Sequence, residues 1–395
     1  MIVGGGPAGA YLGLRLAREG VDVLVLEKHT DFDRRFRGNT LNPASLHLLD
    51  RLAAPADEGE TMADRLLALP HTRTTHFTAA DKRGEVRFAD FGALDDRFPF
   101  VAFMQQADLL PVLFEAASRE PTFRLATGAE VVGLVEEDGA VCGVEFEQGG
   151  QRRQTRTNLV IACDGRASTT RRLAGLAPRP IGAPIDVLWF SFPREPVDDA
   201  GSGAYFRFGE GMMLALMDAG TEWQVGAIIA KGSYDSFRQR GIESFRRRVA
   251  WAVPTFASRV KSLEWDDVFL LEVQVDRLRR WHRPGLLCLG DAAHAMSPVG
   301  MVGINLALQD AEAAAARLAP ALRAGSVPEA LLADVQRERQ QGVALVQRTQ
   351  ALLHRFVLGP ALAGRSGIRQ PVRGLMGWTP AVRLGTRVIA YGALR

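Results

Sequence analysis

The chain has 395 residues, 47% hydrophobic and 24% charged, which suffices for sizeable cores and argues against bulk disorder. At about 100–200 residues per domain, two domains are expected. The formal net charge is only +3, so the whole molecule exerts no strong pull on nucleic acid.

No apolar run approaches the roughly 18 residues of a membrane-spanning helix, and the first residues lack the basic region, apolar stretch and cleavage site of a secretory leader. Cys142, Cys163 and Cys288 lie far apart with no zinc or redox spacing. Cys163 and Cys288 sit in apolar runs and read as buried structural thiols, which fits a reducing cytoplasm.

Residues 1–27 read as a strand, a glycine turn, a helix and a second strand. The first strand has only Met1-Ile2-Val3 before the glycines, against an average of about 5–6 residues. Either it is short or the native start lies upstream. Residues 21–26 have the valine and leucine content of a strand buried on both faces, and such a βαβ start implies a parallel sheet. Residues 31–42 are loop-like, and a helix is expected over 43–52. A mixed β and turn segment over 70–99 precedes a helix over 107–118, whose apolar positions are Leu109, Leu110, Leu113 and Phe114. Short strands over 123–147 turn at Glu137-Asp138-Gly139, and an apolar strand follows over 158–162.

Near Pro178 the pattern changes to successive β runs at 187–192, 204–208, 212–217 and 223–230, with a turn at Gly201-Ser202-Gly203. A helix over 242–253 and a strand over 268–275 complete a second, antiparallel unit. Residues 285–289 return to the buried parallel-strand pattern, an alanine-rich helix spans 304–322, and further helices run to the end. From Arg339 to Arg395 there are nine arginines and no acidic residue. A helical tail with solvated arginines is the plain reading. The sharper one is a surface for a phosphorylated cofactor, an anionic membrane or a partner.

Three segments carry chemistry. In Gly4-Gly5-Gly6-Pro7-Ala8-Gly9, a G-x-G-x-x-G, Gly4 permits a tight turn, Gly6 lets backbone approach a pyrophosphate, and Gly9 lets the helix pack close to the strand. The helix start offers free N–H groups and a positive dipole end to phosphates. Glu27, at the end of the second strand, is placed to accept ribose hydroxyls, which favours FAD or NAD over NADP; Lys28 follows it. The second segment, Cys163-Asp164-Gly165-Arg166-Ala167-Ser168-Thr169-Thr170-Arg171, follows a buried strand, where α/β sheets bind ligands. It equally reads as an Asp-Gly turn with a capping serine. The third runs from Gly290-Asp291-Ala292-Ala293-His294 to Pro298-Val299-Gly300-Met301-Val302-Gly303-Ile304-Asn305, at the start of the long helix. Asp291 ends a strand, and the helix start would stabilise negative charge on a reduced flavin ring.

These segments, in this order, resemble the flavoprotein aromatic hydroxylases of the para-hydroxybenzoate hydroxylase fold, over nearly the whole chain from Ile2 to about Leu322. The resemblance implies an α/β protein with a discontinuous Rossmann-like FAD-binding domain (1–70, 100–177 and 281–340), a mostly antiparallel β-sheet substrate domain (71–99 and 178–280) and a C-terminal helical segment (341–395). It assigns Gly4, Gly6, Pro7, Ala8 and Gly9 to the ADP part of FAD, Asp164 to FAD and the nicotinamide cofactor, and Asp291 to the ribityl chain. Arg37 resembles the family arginine near the pyrophosphate, Gln106 the glutamine at the flavin side of the ribityl chain, and Val132 the position with backbone contacts to adenine. Gly300, Gly303, Ile304 and Asn305 fall in the segment facing the flavin, and Pro298 matches the family proline beside it.

The chain departs from two relatives. Flavin-dependent halogenases carry Trp-x-Trp-x-Ile-Pro where this chain has Trp189-Phe190-Ser191-Phe192-Pro193, and with only four lysines their catalytic lysine has no evident counterpart. The chain is also too short for the thioredoxin-like domain of larger polyketide hydroxylases, and its end looks more like compact bacterial members.

The implied reaction is hydroxylation of an aromatic or polyketide-like molecule through a flavin C4a-hydroperoxide, consuming NADH or NADPH and O2, with no metal. Water must be excluded. Substrate-lining candidates are Phe190, Tyr205, Met213, Met217, Gln224 and Pro298, although aromatic and methionine side chains on strands also serve as core. His294 reads as a residue that orders its loop. A soluble monomer or homodimer in the cytoplasm is expected. Epoxidation, Baeyer–Villiger insertion or dehydrogenation on the same FAD remain alternatives, as does a cyclase or binding protein with structural FAD.

Overall fold

A computed structural model describes residues 1–32, 40–54, 59–195, 198, 203–364, 368 and 370–392. Six strands form the first sheet, in the order His282–Arg283, Leu286–Cys288, Val160–Ala162, Ile2–Val3, Val23–Glu27 and Phe123–Thr127. All pairings are parallel except at the edge strand His282–Arg283. Only Ile2 and Val3 belong to the first strand, yet both are buried because parallel neighbours flank them. The helices Pro7–Arg18, Gln106–Ser118 and Gly303–Arg323 pack around this sheet with alanine and leucine faces, in one apolar core.

The second sheet has seven strands: Phe269–Leu271, Ile185–Pro193, Glu222–Ala230, Met212–Asp218, Gly203–Gly209, His76–Asp81 and Gly84–Asp90. Its pairings are antiparallel except between Gly203–Gly209 and His76–Asp81. Side chains alternate between its faces. One face presents Leu188, Phe190, Phe192, Leu216 and Val225 to Phe237, Phe245 and Val249 of the helices Tyr234–Gln239 and Ile242–Ala252. The other presents Val187, Met213 and Ile228 to Leu358, Ala361 and Ile368. The strand expected over 268–275 is shorter, Phe269–Leu271. Beyond it, the Asp186 carboxylate takes the Val273 N–H at 3.0 Å, and the Val275 carbonyl accepts from Ile181 and Gly182, so these backbone groups are satisfied outside the ladder.

The arginine-rich end is only partly a solvated tail. The helices Gln370–Gly377 and Thr379–Tyr391 lie against the strand Gly84–Asp90, with Thr386 Oγ1 accepting the Asp90 N–H at 2.8 Å and Arg373 pairing with Asp81 at 2.9 Å. Arg339, on the helix Glu329–Leu353, is buried.

Candidate functional site

A single cleft joins the C-terminal ends of the parallel strands to the inner face of the seven-stranded sheet. Its volume is about 460 Å³, within the range of about 300–1,000 Å³ usual for ligand pockets.

Gly4, Gly6, Pro7 and Ala8 line one end. Gly4 has φ +100°, and a Cβ there would lie 2.5 Å from the Cys163 carbonyl oxygen. A Cβ on Gly9 would lie 2.0 Å from the Gly4 carbonyl oxygen. Both glycines are thus required for the helix Pro7–Arg18 to begin so close to the sheet, aiming its N-terminus into the cleft. No acidic side chain occupies the first turn of this helix, so its positive end is left for an anion. Glu27 is buried, and its oxygens accept the N–H groups of Gly5 at 2.7 Å and His29 at 2.9 Å.

Asp164 also lines the cleft, but its carboxylate is engaged internally: Ser168 Oγ donates at 2.5 Å and the Thr170 N–H at 2.9 Å. Ser168 in turn caps the helix Thr169–Leu173 through the Arg171 N–H. The capping-turn reading and the ligand-cleft placement therefore hold together. Arg171 ties this segment to the third one, donating to the Arg166 carbonyl at 3.0 Å, the Ala292 carbonyl at 3.2 Å and Asp276 Oδ1 at 3.4 Å. Across the cleft mouth, Arg166 pairs with Asp291 at 3.6 Å.

The Gly290-Asp291 turn rests on a buried charge cluster. Asp310 is fully buried and accepts from Gly290 N at 3.2 Å and Arg339 Nε at 2.8 Å, with His294 Nε2 at 2.6 Å. Burial alone would push its carboxyl up, but His294 and Arg339 outweigh that and hold it below the usual carboxylate range. His294 thus orders its loop, with its ring against Trp281. The next stretch hangs from the helix Glu329–Leu353. Gln350 Nε2 donates to the carbonyls of Ser297 at 2.9 Å and Val299 at 2.7 Å, and His354 bonds Ser297 Oγ at 2.9 Å. These contacts set Pro298, which lines the cleft.

Glu27, Lys28, Gln106, Asp291, Gly303 and Ile304 also line the cleft. Gly9 acts behind the lining, through helix packing. On the strand Ala129–Glu137, Ala129, Glu130 and Val131 face the cleft rather than Val132. Asn305 is turned inward, its Oδ1 accepting from Asn42 N at 2.9 Å and Ser45 Oγ at 2.5 Å, and it steadies the loop; Gly300, at φ +88°, shapes the same loop. Arg37 lies outside the described residues.

On the substrate side, Met217 and Gln224 face the cleft from directly opposed positions, together with Trp189 and Leu271. Phe190 instead lies fully buried against Phe192 and Phe245, one residue out of phase with Trp189 on the same strand. Tyr205, opposite Leu216, packs on that helix-covered face too. Met213 shares the face of Met217 but lies farther along, in the core under Leu358 and Ala361. The cleft lining thus replaces Phe190, Tyr205 and Met213 with Trp189 and Leu271. Gly226, opposite Trp189, makes the space: a Cβ there would meet the indole ring at 3.2 Å. The strand period was the available signal for Trp189, while nothing in the sequence marked Leu271.

Burial pushes the thiols of Cys163 and Cys288 up, so both stay protonated at neutral pH. No helix among the described residues is long and apolar enough to cross a membrane, and no group of His, Cys, Asp or Glu among them could hold a metal.

The family described as "FAD binding domain" matches residues 1–349. The chain is 33% identical to 6-methylpretetramide 4-monooxygenase of Streptomyces rimosus, over 99% of this chain and 91% of that protein. It is 25% identical to para-nitrophenol 4-monooxygenase of a Pseudomonas species, over 84% of this chain and 80% of that one. In fold it is similar to p-nitrophenol 4-monooxygenase PnpA of Pseudomonas putida, with a TM-score of 0.77 at 19% identity, covering 100% of this chain and 98% of that one. A helix N-terminus and the carboxylates of Glu27 and Asp291, all in one groove, suit the diphosphate and hydroxyl groups of FAD. The chain belongs to the FAD binding domain family and is an FAD-dependent oxidoreductase of the flavoprotein aromatic hydroxylase type.

Proposed function

We propose that the protein is an NAD(P)H-consuming monooxygenase that hydroxylates an aromatic or polyketide-like small molecule, as the names of its relatives indicate for them. One observation carries this: the glycine-turn residues Gly4, Gly6 and Pro7, Pro298, and the apolar side chains of Trp189, Met217 and Leu271 line one continuous space. Bound FAD supplies reduction by the nicotinamide cofactor and activation of O2 for transfer of one oxygen atom.

The chain's own residues supply position and field. The start of the helix Pro7–Arg18 holds the diphosphate, Glu27 the ribose and Asp291 the ribityl hydroxyls. Gly303 and Ile304 open the helix Gly303–Arg323 beside Pro298, and the positive end of that helix stabilises negative charge on the ring system. Trp189, Met217 and Leu271 cover an aromatic ring and exclude water, while the Gln224 amide offers an orienting hydrogen bond. No protein base is assigned, since a phenol brings its own acidic hydroxyl.

The test is NAD(P)H oxidation by the purified FAD-loaded protein, with and without candidate phenols, with product masses recorded. Substrate-stimulated oxidation and a gain of one oxygen are expected. Conversion without reductant would overturn the proposal.

A further inference from the structure

Three arginines outside the cleft, Arg179, Arg277 and Arg348, lie within electrostatic reach of one another, with no carboxylate paired to them among the described residues. The strands Pro178–Pro180 and Asp276–Leu278 pair antiparallel, with Arg179 directly opposite Arg277, so both side chains leave the same face of the ribbon. Asp276 and Leu278 are buried on the opposite face, where Asp276 is committed to Arg171. The third cation comes from the helix Glu329–Leu353. Its Gln347 amide donates to the Asp276 carbonyl at 2.8 Å and the Ala295 carbonyl at 3.1 Å, which brings the next residue, Arg348, within electrostatic reach of Arg277.

Like charges placed opposite on paired strands are unfavourable. Burial and the neighbouring Arg348 and Arg179 hold the Arg277 guanidinium below the usual arginine range. Arg339 pairs with Asp310 and Arg283 with Glu136. Among the described residues, no carboxylate pairs with Arg179, Arg277 or Arg348. Uncompensated guanidinium groups in such a cluster match a phosphate dianion, which accepts several charge-assisted hydrogen bonds at once. The cluster lies one residue from Asp276, whose Arg171 partner clasps the Asp-Gly and Gly-Asp segments from behind. It therefore sits behind the Asp-Gly and Gly-Asp segments, outside the cleft that they line.

We propose that Arg179, Arg277 and Arg348 form a binding site for a phosphomonoester group of a nucleotide. Two sources carry that group: the 2′-phosphate of a nicotinamide cofactor and the 3′-phosphate of a coenzyme A-type carrier. Binding is measured by calorimetry on the FAD-loaded protein at low ionic strength, with adenosine 2′,5′-bisphosphate, adenosine 3′,5′-bisphosphate and inorganic phosphate as probes. At least one bisphosphate binds the wild type, and its affinity falls about tenfold in Arg277→Gln and in Arg348→Gln, as loss of one charge-assisted hydrogen bond predicts. Preference for the 2′,5′ isomer assigns the site to the nicotinamide cofactor, and the opposite preference assigns it to the carrier. Because Arg348 is exposed on its helix, its replacement leaves the fold intact even where Arg277→Gln does not. Failure of both bisphosphates to bind, or equal affinity in wild type and both variants, overturns the proposal. Neither result bears on the monooxygenase reading, since no turnover is measured.

Discussion

Replacing Asp310 by alanine removes the acceptor shared by His294, Gly290 and Arg339 and strands the Arg339 guanidinium, whose side chain is 9% exposed. Breaking a buried pair from one side costs about 3–5 kcal/mol. Unfolding entropy near 2.1 cal/mol/K per residue, taken over 395 residues, is about 0.8 kcal/mol/K, so Tm should fall by about 4–6 °C. The Gly290-Asp291 turn loses its anchor at the same time, so FAD should be released earlier in the same melt. Both changes are read in one experiment, by calorimetry with flavin fluorescence. The double variant Asp310→Ala/Arg339→Met, which leaves no stranded charge, should recover much of the loss. A fall under about 1 °C with FAD retention unchanged would refute the argument that this cluster supports the cofactor loop.

Asp291→Ala should lower the FAD retained through dialysis, while flavin content equal to wild type would remove Asp291 from the cofactor site. The neighbours Trp189 and Phe190 should separate cleanly. Phe190→Ala should cost about 3–5 kcal/mol of stability in a denaturant titration, whereas Trp189→Ala should raise the KM for an aromatic substrate with a smaller effect on stability. At low pH, Asp186 matters. Burial opposes its ionisation, but hydrogen bonds from Gly232, Lys231 and Val273 outweigh that and hold its carboxyl below the usual range. Its contribution is therefore complete above the unfolded value near 3.9 and is lost as pH falls through the lower folded value. Asp186→Asn should be less stable at pH 7, with stability falling less steeply than wild type below about pH 4; parallel pH curves would contradict this.

Much of the cleft lining around the glycine turn was legible because its residues are dictated locally. A strand-to-helix turn as tight as Gly4–Gly9 tolerates little besides glycine, Glu27 closes its strand, and Asp291 lies in a short turn just past the strand Leu286–Cys288. The support behind those residues was not legible. Asp310 and Arg339 lie 29 residues apart, and Gln350 reaches Ser297 across 53, with no local pattern to announce either contact. The substrate side depended on strand phase. Phe190 has the chemistry of a pocket residue, but the alternation that sends Trp189 to the cleft sends Phe190 to the helices Tyr234–Gln239 and Ile242–Ala252. Which face would meet the cleft depended on tertiary packing.

Crystallography of the FAD-loaded protein probes the arrangement most directly. The adenosine ribose should lie at Glu27, the diphosphate at the start of the helix Pro7–Arg18, and the ring system beside Pro298, open to Trp189 and Gln224. A flavin bound elsewhere, or one whose ring system is walled off from the pocket of Trp189, Met217 and Leu271, would contradict the account.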